Sequence, residues 1–186
     1  MEALFGGSFD PVHMGHLIVA EAAADILGVS VRFVVAREQP FKGSTHRASP
    51  EQRADMLAAA IAGNPRFRIE RIELELPPPS YTVRSLRALA QREPGNRFLL
   101  LIGGDTGRDL ATWHEVEALP GLAEVVVLSR PGFTPPVGGL ISRSVTVPMV
   151  DISATAVRER VAQGRSIRYL VPEAVREYIA AHGLYR

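Results

Sequence analysis

The chain has 186 residues, 46% hydrophobic and 22% charged, with 21 basic side chains against 20 acidic ones. Those proportions suit one globular domain over residues 1–186 and exclude a disordered chain, while a net charge of +1 supplies no global field for nucleic acid or an anionic membrane, so any anionic ligand must be met locally. The absence of cysteine removes disulfides, thiolate-bound zinc and thiol nucleophiles together. No leader-like segment precedes Ala3 and no apolar run approaches the roughly 20 residues of a membrane span, so a cytoplasmic protein is expected.

Apolar strand-like runs alternate with helical patterns, which predicts an α/β fold: a doubly wound parallel sheet flanked by helices, with a small helical part at the C-terminal end. Ala3 to Phe5 is a short first strand. Leu17, Ala20, Ala24 and Leu27 then recur at helical spacing, and Gly28 is placed to end that helix. Val31 to Ala36 is a β-branched second strand, followed by a polar, basic loop from Arg37 to Ala48. Ser49-Pro50-Glu51-Gln52 combines an N-cap serine, a proline at the first helical position and a glutamine able to complete a capping box, and Gly63-Asn64-Pro65 stops the helix it opens.

From Phe67 to Leu76, apolar residues at 72, 74 and 76 alternate with glutamates, which predicts a half-exposed strand at a sheet edge, ended by three prolines. Val83, Leu86 and Leu89 predict a helix, and Phe98 to Ile102 is a wholly apolar strand of the buried parallel type ending in Gly103-Gly104-Asp105. Val125 to Leu128 is a further strand, Arg130 to Ser144 a glycine- and proline-rich surface loop, and Val145 to Val150 the last strand before Ile152-Ser153-Ala154-Thr155 opens a helix.

In such sheets ligands bind beyond the carboxyl ends of the strands, so the loops there carry the chemistry. The first is Gly6-Gly7-Ser8-Phe9-Asp10-Pro11-Val12-His13-Met14-Gly15-His16. Its glycines allow close backbone approach to a phosphate, the helix beyond offers free N–H groups, and His13 and His16, three residues apart, can face one anion. Taken singly, a glycine pair is a turn and a histidine at a helix start is a cap. The second is Ile152-Ser153-Ala154-Thr155-Ala156-Val157-Arg158, where two hydroxyls at a helix start and a guanidinium one turn later can cradle a polyphosphate.

The first string resembles the signature of the nucleotidyltransferase superfamily, whose His-x-Gly-His element is shared with class I aminoacyl-tRNA synthetases, and the second resembles the Ile-Ser-x-Thr-x-x-Arg element of its adenylyltransferases. Lys42, Arg47, Ala48, Arg53 and Met56, then Ser80-Tyr81-Thr82, Ile102-Gly103-x-Asp105, Thr112-Trp113, Arg130-Pro131-Gly132 and the tail from Leu170 to Arg186 extend the likeness over nearly the whole chain, to the bacterial nicotinate mononucleotide adenylyltransferases. Two positions depart from that pattern: Phe41 stands where a histidine is expected, and Arg84 where an acidic residue is common.

The resemblance implies a Rossmann-like fold and transfer of AMP from ATP to nicotinate mononucleotide by direct in-line attack, with Mg²⁺ brought on the triphosphate rather than held in a protein cage. His13, His16 and Arg158 are the expected charge-neutralising set. Gly7, Ser8, Phe9, Gly103, Asp105, Ile152, Ser153, Thr155 and Arg158 are expected at ATP, with Gly103 and Asp105 at nucleotide riboses. Lys42, Arg47, Tyr81, Thr82, Trp113 and Arg130 are expected at the mononucleotide, Lys42 meeting its phosphate and Thr82 and Trp113 its ring. Asp109 has no expected role. The alternatives are transfer to another acceptor, such as nicotinamide mononucleotide or phosphopantetheine, and a non-catalytic nucleotide sensor on the same scaffold.

Overall fold

The computed structural model describes residues 1–40, 46–132 and 137–186. Six strands form one sheet: β1 (Glu2–Gly7), β2 (Val31–Val35), β3 (Phe67–Glu70), β4 (Phe98–Gly103), β5 (Ala123–Ser129) and β6 (Arg143–Thr146). Their order is β3-β2-β1-β4-β5-β6 and every neighbouring pair is parallel. The helices are α1 (Met14–Leu27), α2 (Pro50–Ile61), α3 (Ile72–Glu75), α4 (Thr82–Arg92), α5 (Gly104–Arg108), α6 (Leu119–Leu122), α7 (Ala154–Ala162) and α8 (Glu173–Ala181).

Because side chains alternate along a strand, each central strand feeds two cores. Ala3, Phe33, Val35, Leu99 and Leu101 pack on one face against α1, α2, α7 and α8 through residues such as Ala20, Leu57, Val157 and Ile179. Leu4, Val34, Leu100 and Ile102 pack on the other face against Leu86 and Leu89 of α4 and Leu119 of α6. Covering both faces explains why β4 reads as an unbroken apolar run. The chain runs outward from β1 through β2 to β3, then returns to place β4 on the other side of β1. That reversal opens a crevice at the carboxyl ends of β1 and β4.

Local signals place several boundaries. Ser49 Oγ accepts the Gln52 N–H at 3.2 Å while Gln52 Oε1 accepts the Ser49 N–H at 2.9 Å, so the capping box of α2 closes in both directions. Gly28 caps α1, its N–H bonding the carbonyl of Ala24.

Two expectations are corrected. The strand from Phe67 stops at Glu70, because the Glu70 side chain turns back to accept the Ile72 N–H at 2.9 Å and the chain enters α3. Ile72 and Glu73 are both buried, so the alternation marks a helical turn with an internal glutamate rather than a strand with a wet face; the edge placement itself holds, since β3 ends the sheet. The last strand is Arg143–Thr146 rather than 145–150. It begins as soon as Ser142 can donate to Val125, and Pro148, lacking an N–H, cannot extend the ladder beyond the Val147 to Ser129 bond.

The one cation buried in the sheet, among the described strand residues, is Arg32, 2% exposed. It pairs with Glu2, with Glu93 at 2.5 Å and with Glu70 at 3.4 Å, and its guanidinium lies 5.4 Å from the centroid of the Phe98 ring. Burial alone would weaken its charge, but hydrogen bonds with Glu93 and Glu2 more than offset this and raise its pKa. The same hydrogen bonds pull the Glu93 carboxyl down to about 2 from an ordinary 4.5. Removing the guanidinium leaves the carboxylates facing one another, so Arg32→Ala is expected to lose about 3–5 kcal/mol in urea unfolding, and a loss under about 1 kcal/mol would show the cluster to be structurally idle. A depressed carboxyl contributes stability that is present above its unfolded value and lost as pH falls through its folded one. Wild-type stability should therefore decline between pH 4.5 and about 2, with a shallower decline in Arg32→Ala.

Candidate active site

The loop from β1 to α1 is shaped by its own aromatic ring. Phe9 is 1% exposed with φ of +50°, and its ring folds back so that a Cβ on Gly7 would lie 2.9 Å from Phe9 Cζ. Gly7 is thus required by close approach. The Phe9 ring stands edge-on to His16 with centroids 5.0 Å apart. His13 and His16 stack at 3.6 Å between centroids, 23° apart, so the opening turn of α1 does bring both imidazoles to one side. Gly15 between them is also crowded, though less than Gly7: its Cβ would lie 3.1 Å from His13 Nδ1.

The His13 backbone N–H donates to His16 Nδ1 at 3.2 Å, so the neutral His16 ring carries its proton on Nε2. His13 Nδ1 is buried with no partner among the described residues. Burial pushes His13 down to about 4, and burial together with the adjacent His13 pushes His16 down to about 3. At neutral pH both rings are therefore uncharged and offer N–H donors rather than formal positive charges. The Met14 N–H is bonded to the Leu170 carbonyl at 2.9 Å, so one of the α1 donors expected for an anion is already taken.

Asp10, 4% exposed, gathers distant segments onto this loop. Its carboxylate accepts the N–H groups of Arg47 at 2.8 Å and Ala48 at 3.2 Å, and the Tyr185 hydroxyl at 2.7 Å. Its carbonyl accepts Arg158 Nη1 at 2.7 Å, while Arg158 Nη2 reaches Thr155 Oγ1 at 3.1 Å. Ser153 Oγ caps α7 by accepting the Ala156 N–H at 3.1 Å, and Ile152 packs on the core beside it. Arg53, fully buried, donates to the carbonyls of Ser8 at 2.6 Å and Arg37 at 3.1 Å, and Ser8 Oγ meets His46 Nε2 at 3.0 Å. The predicted Ser8, Phe9, His13 and His16 are thus brought together with the Ile152, Ser153, Thr155 and Arg158 segment through Asp10.

The other half is a cleft of about 640 Å³ at the carboxyl ends of β1, β2 and β4. Gly7, Tyr81, Thr82, Gly103 and Trp113 from the predicted set line it, together with Glu73, Asp109 and His114, which sequence reasoning did not assign. α4 begins at Thr82 with no side-chain cap and no acid of its own in its first turn, and Thr82 lines the cleft. Tyr81 stacks on His114 with centroids 4.2 Å apart, and Arg84 lies 4.8 Å from the Tyr81 ring centroid on a cation–π contact. That contact accounts for a basic residue at 84. Trp113 is half-buried, packing on the second core while also facing the cleft. The side chains of Arg47 and Arg130 are exposed, and neither lines the cleft. Lys42 and Phe41 lie outside the described residues, as does the Asp105 side chain, although Asp105 itself falls in α5.

His114 follows Trp113 directly and was legible as part of that segment. Glu73 was hidden by the strand reading, and Asp109, expected to be idle, lines the cleft with its carbonyl accepting Thr112 Oγ1 at 2.7 Å.

A parallel sheet of this order, with a paired-histidine loop at the start of its first crossover helix and a cleft at the strand reversal, defines a Rossmann-like nucleotidyltransferase. Residues 4–160 match the family described as Cytidylyltransferase-like. The chain is 45% identical over 98% of its length to a "Probable nicotinate-nucleotide adenylyltransferase" of Thermus thermophilus, covering 98% of that protein, and 43% identical over 98% of its length to one of the same name from Rubrobacter xylanophilus, covering 91% of it. The structure of Plasmodium falciparum nicotinic acid mononucleotide adenylyltransferase complexed with NaAD shares the fold at a TM-score of 0.79 and 18% identity, over 98% of this chain and 96% of that one. The chain belongs to the nicotinate-nucleotide adenylyltransferase family. No helix among the described residues is long and apolar enough to cross a membrane.

Two measurements probe this half-site. In an NMR pH titration of the free protein, both imidazoles should stay neutral down to pH 5; titration of either near 6.5 would show that the pair is not desolvated. Arg158→Lys keeps a charge but loses the planar fork whose two arms reach the Asp10 carbonyl and Thr155 Oγ1, so activity should fall more than about tenfold, and a near-neutral result would remove the bidentate role.

Proposed function

We propose that this chain transfers AMP from ATP to nicotinate mononucleotide, releasing pyrophosphate and forming nicotinate adenine dinucleotide in the cytoplasmic synthesis of NAD. The observation that carries this reading is the meeting of the two half-sites at Gly7 to Phe9: the paired histidines and the start of α7 on one side, the aromatic cleft under the start of α4 on the other. The names of the Thermus and Rubrobacter relatives support it.

An oxygen of the mononucleotide phosphate attacks the α-phosphorus of ATP, a new P–O bond forms as the bond to the β-phosphate oxygen breaks, and pyrophosphate leaves with that electron pair. The attacking group is already an anion, so no side-chain nucleophile or general base is needed, and the protein acts by positioning and by meeting negative charge. His13 and His16 supply N–H donors from a dry surface, where each is worth more than in water. An approaching phosphate would also favour their protonated forms and raise both from their depressed values. Arg158, Ser153, Thr155 and Ile152 are the proposed partners of the triphosphate, Gly103 and Asp105 those of the riboses, and Lys42, Arg47 and Arg130 the proposed cations for the acceptor side. Mg²⁺ on the triphosphate, when bound, would neutralise its charge. The ion would be carried by substrate oxygens and water rather than by a protein cage.

The acceptor preference follows from the uncapped start of α4. A carboxylate on the pyridine ring accepts N–H donors and gains from the helix dipole, whereas a carboxamide turns its own NH₂ toward those donors, a buried mismatch of roughly 1–3 kcal/mol. Trp113 would stack on the ring. Pyrophosphate release, followed with ATP, Mg²⁺ and each acceptor in turn, should give a kcat/KM for nicotinate mononucleotide about ten- to a hundredfold above its nicotinamide counterpart. Equal values would defeat the specificity, and no pyrophosphate release with any acceptor would leave a binding protein. Trp113→Ala should raise the acceptor KM while sparing that of ATP. His16→Ala should lower kcat by on the order of 10²–10³, and retention of more than about a third of turnover would remove that histidine from the mechanism.

A further inference from the structure

The reaction as derived makes no use of the buried acid in the acceptor cleft. Glu73, in α3, is 8% exposed and lines the cleft wall opposite the nucleotide loop. Its Oε1 accepts the Ser85 hydroxyl at 2.8 Å, and the neighbouring Ser80 hydroxyl also favours its charged form. Ser80 Oγ also accepts the N–H of Arg37 at 3.0 Å and that of Glu38 at 3.3 Å, and the Ser80 N–H returns to the Glu38 carbonyl at 2.9 Å. With two amide protons aimed at its lone pairs, the Ser80 hydroxyl has its own proton left to give, and Glu73 is the neighbouring group able to take it. One carboxylate therefore ties together the chain leaving β2, the Ser80-Tyr81-Thr82 turn and the first turn of α4.

We propose that Glu73 is a positioning residue for the acceptor. Acting through Ser80 and Ser85, it holds the Thr82 end of α4 at the height where its N–H groups meet the acceptor ring. The proposal rests on the reading of the cleft as the acceptor half-site. A carboxylate suits the task because it accepts from both hydroxyls at once. A glutamine has the same shape but presents an NH₂ toward one of them, and the Ser80 oxygen, already occupied by two amides, cannot receive it without turning. Burial pushes the Glu73 carboxyl upward, with the two hydroxyl donors working against that rise, so the hydroxyls are also what keeps an acid tolerable in this wall.

The test uses the full-length protein and compares Glu73→Gln, Ser80→Ala and the double variant in steady-state kinetics with both substrates varied. Glu73→Gln and Ser80→Ala should each raise the acceptor KM about tenfold, with the ATP KM moving less than about twofold and kcat less than the acceptor KM. The double variant should be no worse than the poorer single, because both changes break one connection. An unchanged acceptor KM, parallel losses toward both substrates, or additive effects in the double variant would each overturn the proposal. If Glu73→Gln fails to fold, as judged by circular dichroism and melting, Ser85→Ala removes one donor while leaving the acid, and it should again affect the acceptor alone. If the wild type turns over a different acceptor in place of nicotinate mononucleotide, the function proposed above fails. The same comparison with the acceptor that is used still decides the role of Glu73. If it turns over none, calorimetric affinity for nicotinate mononucleotide replaces KM as the readout.

Discussion

Asp10 sits buried in the first strand-to-helix loop and receives protons from two backbone amides of the segment after β2 and from the phenol of the penultimate residue, while its own carbonyl takes one arm of Arg158. Four stretches of chain, up to 175 residues apart, are held against one another by this single residue. Without it nothing described here ties the Arg158 guanidinium to the loop of the paired histidines. The Tyr185 phenol is pushed well above its usual range by burial and by Asp10, which keeps it a proton donor across the working range of pH. The carboxylate is fully supplied with donors, which is the condition under which a buried charge becomes a source of order.

The sheet separates stability from chemistry. Arg32 and the carboxylates of Glu2 and Glu93 cluster near the amino ends of β1, β2 and β4, remote in the strand direction from the loops that face ligand. At the carboxyl ends, by contrast, buried polar groups are left open or under strain: His13 Nδ1 has no described partner, Phe9 holds a left-handed backbone, and α4 begins uncapped. Such features cost stability where they stand, and the two apolar cores on either face of the sheet offset them. The two halves of the site differ in the same sense. The histidine-loop side is held by backbone carbonyls and ring stacking, whereas the wall of the cleft includes the Ser85 hydroxyl bonded to Glu73.

Much of this could be read in one dimension because the signals were local. The capping box at Ser49, the helical spacing from Leu17 to Leu27 and the unbroken apolar run from Phe98 each involve residues within a turn or two, where the pattern and the physics coincide. The loop from Gly6 to His16 was legible for the same reason: its glycines, histidines and helix start all lie within eleven residues. The misreadings have a common origin. Ile72, Leu74 and Leu76 alternate as a strand would, and only the Glu70 side chain bonding to the Ile72 amide, with the Ser85 hydroxyl waiting for Glu73, makes that stretch a helical turn. The end of β6 likewise depended on the Ser129 carbonyl arriving to take the Val147 N–H just before Pro148. Arg84 looked anomalous until Tyr81 was found beneath it.

The sequence by itself therefore determined the alternation of strands and helices and the apolar run of a central strand covered on both faces, since each signal lies among near neighbours along the chain. Tertiary structure alone decided that the two histidines are neutral, that Arg158 is anchored to Asp10, that His114 and Asp109 face the cleft and that Glu73 is buried in its wall. Those properties depend on desolvation and on hydrogen-bond partners supplied by segments far away in the chain, and no local pattern encodes which distant group will arrive to exclude water or to share a proton.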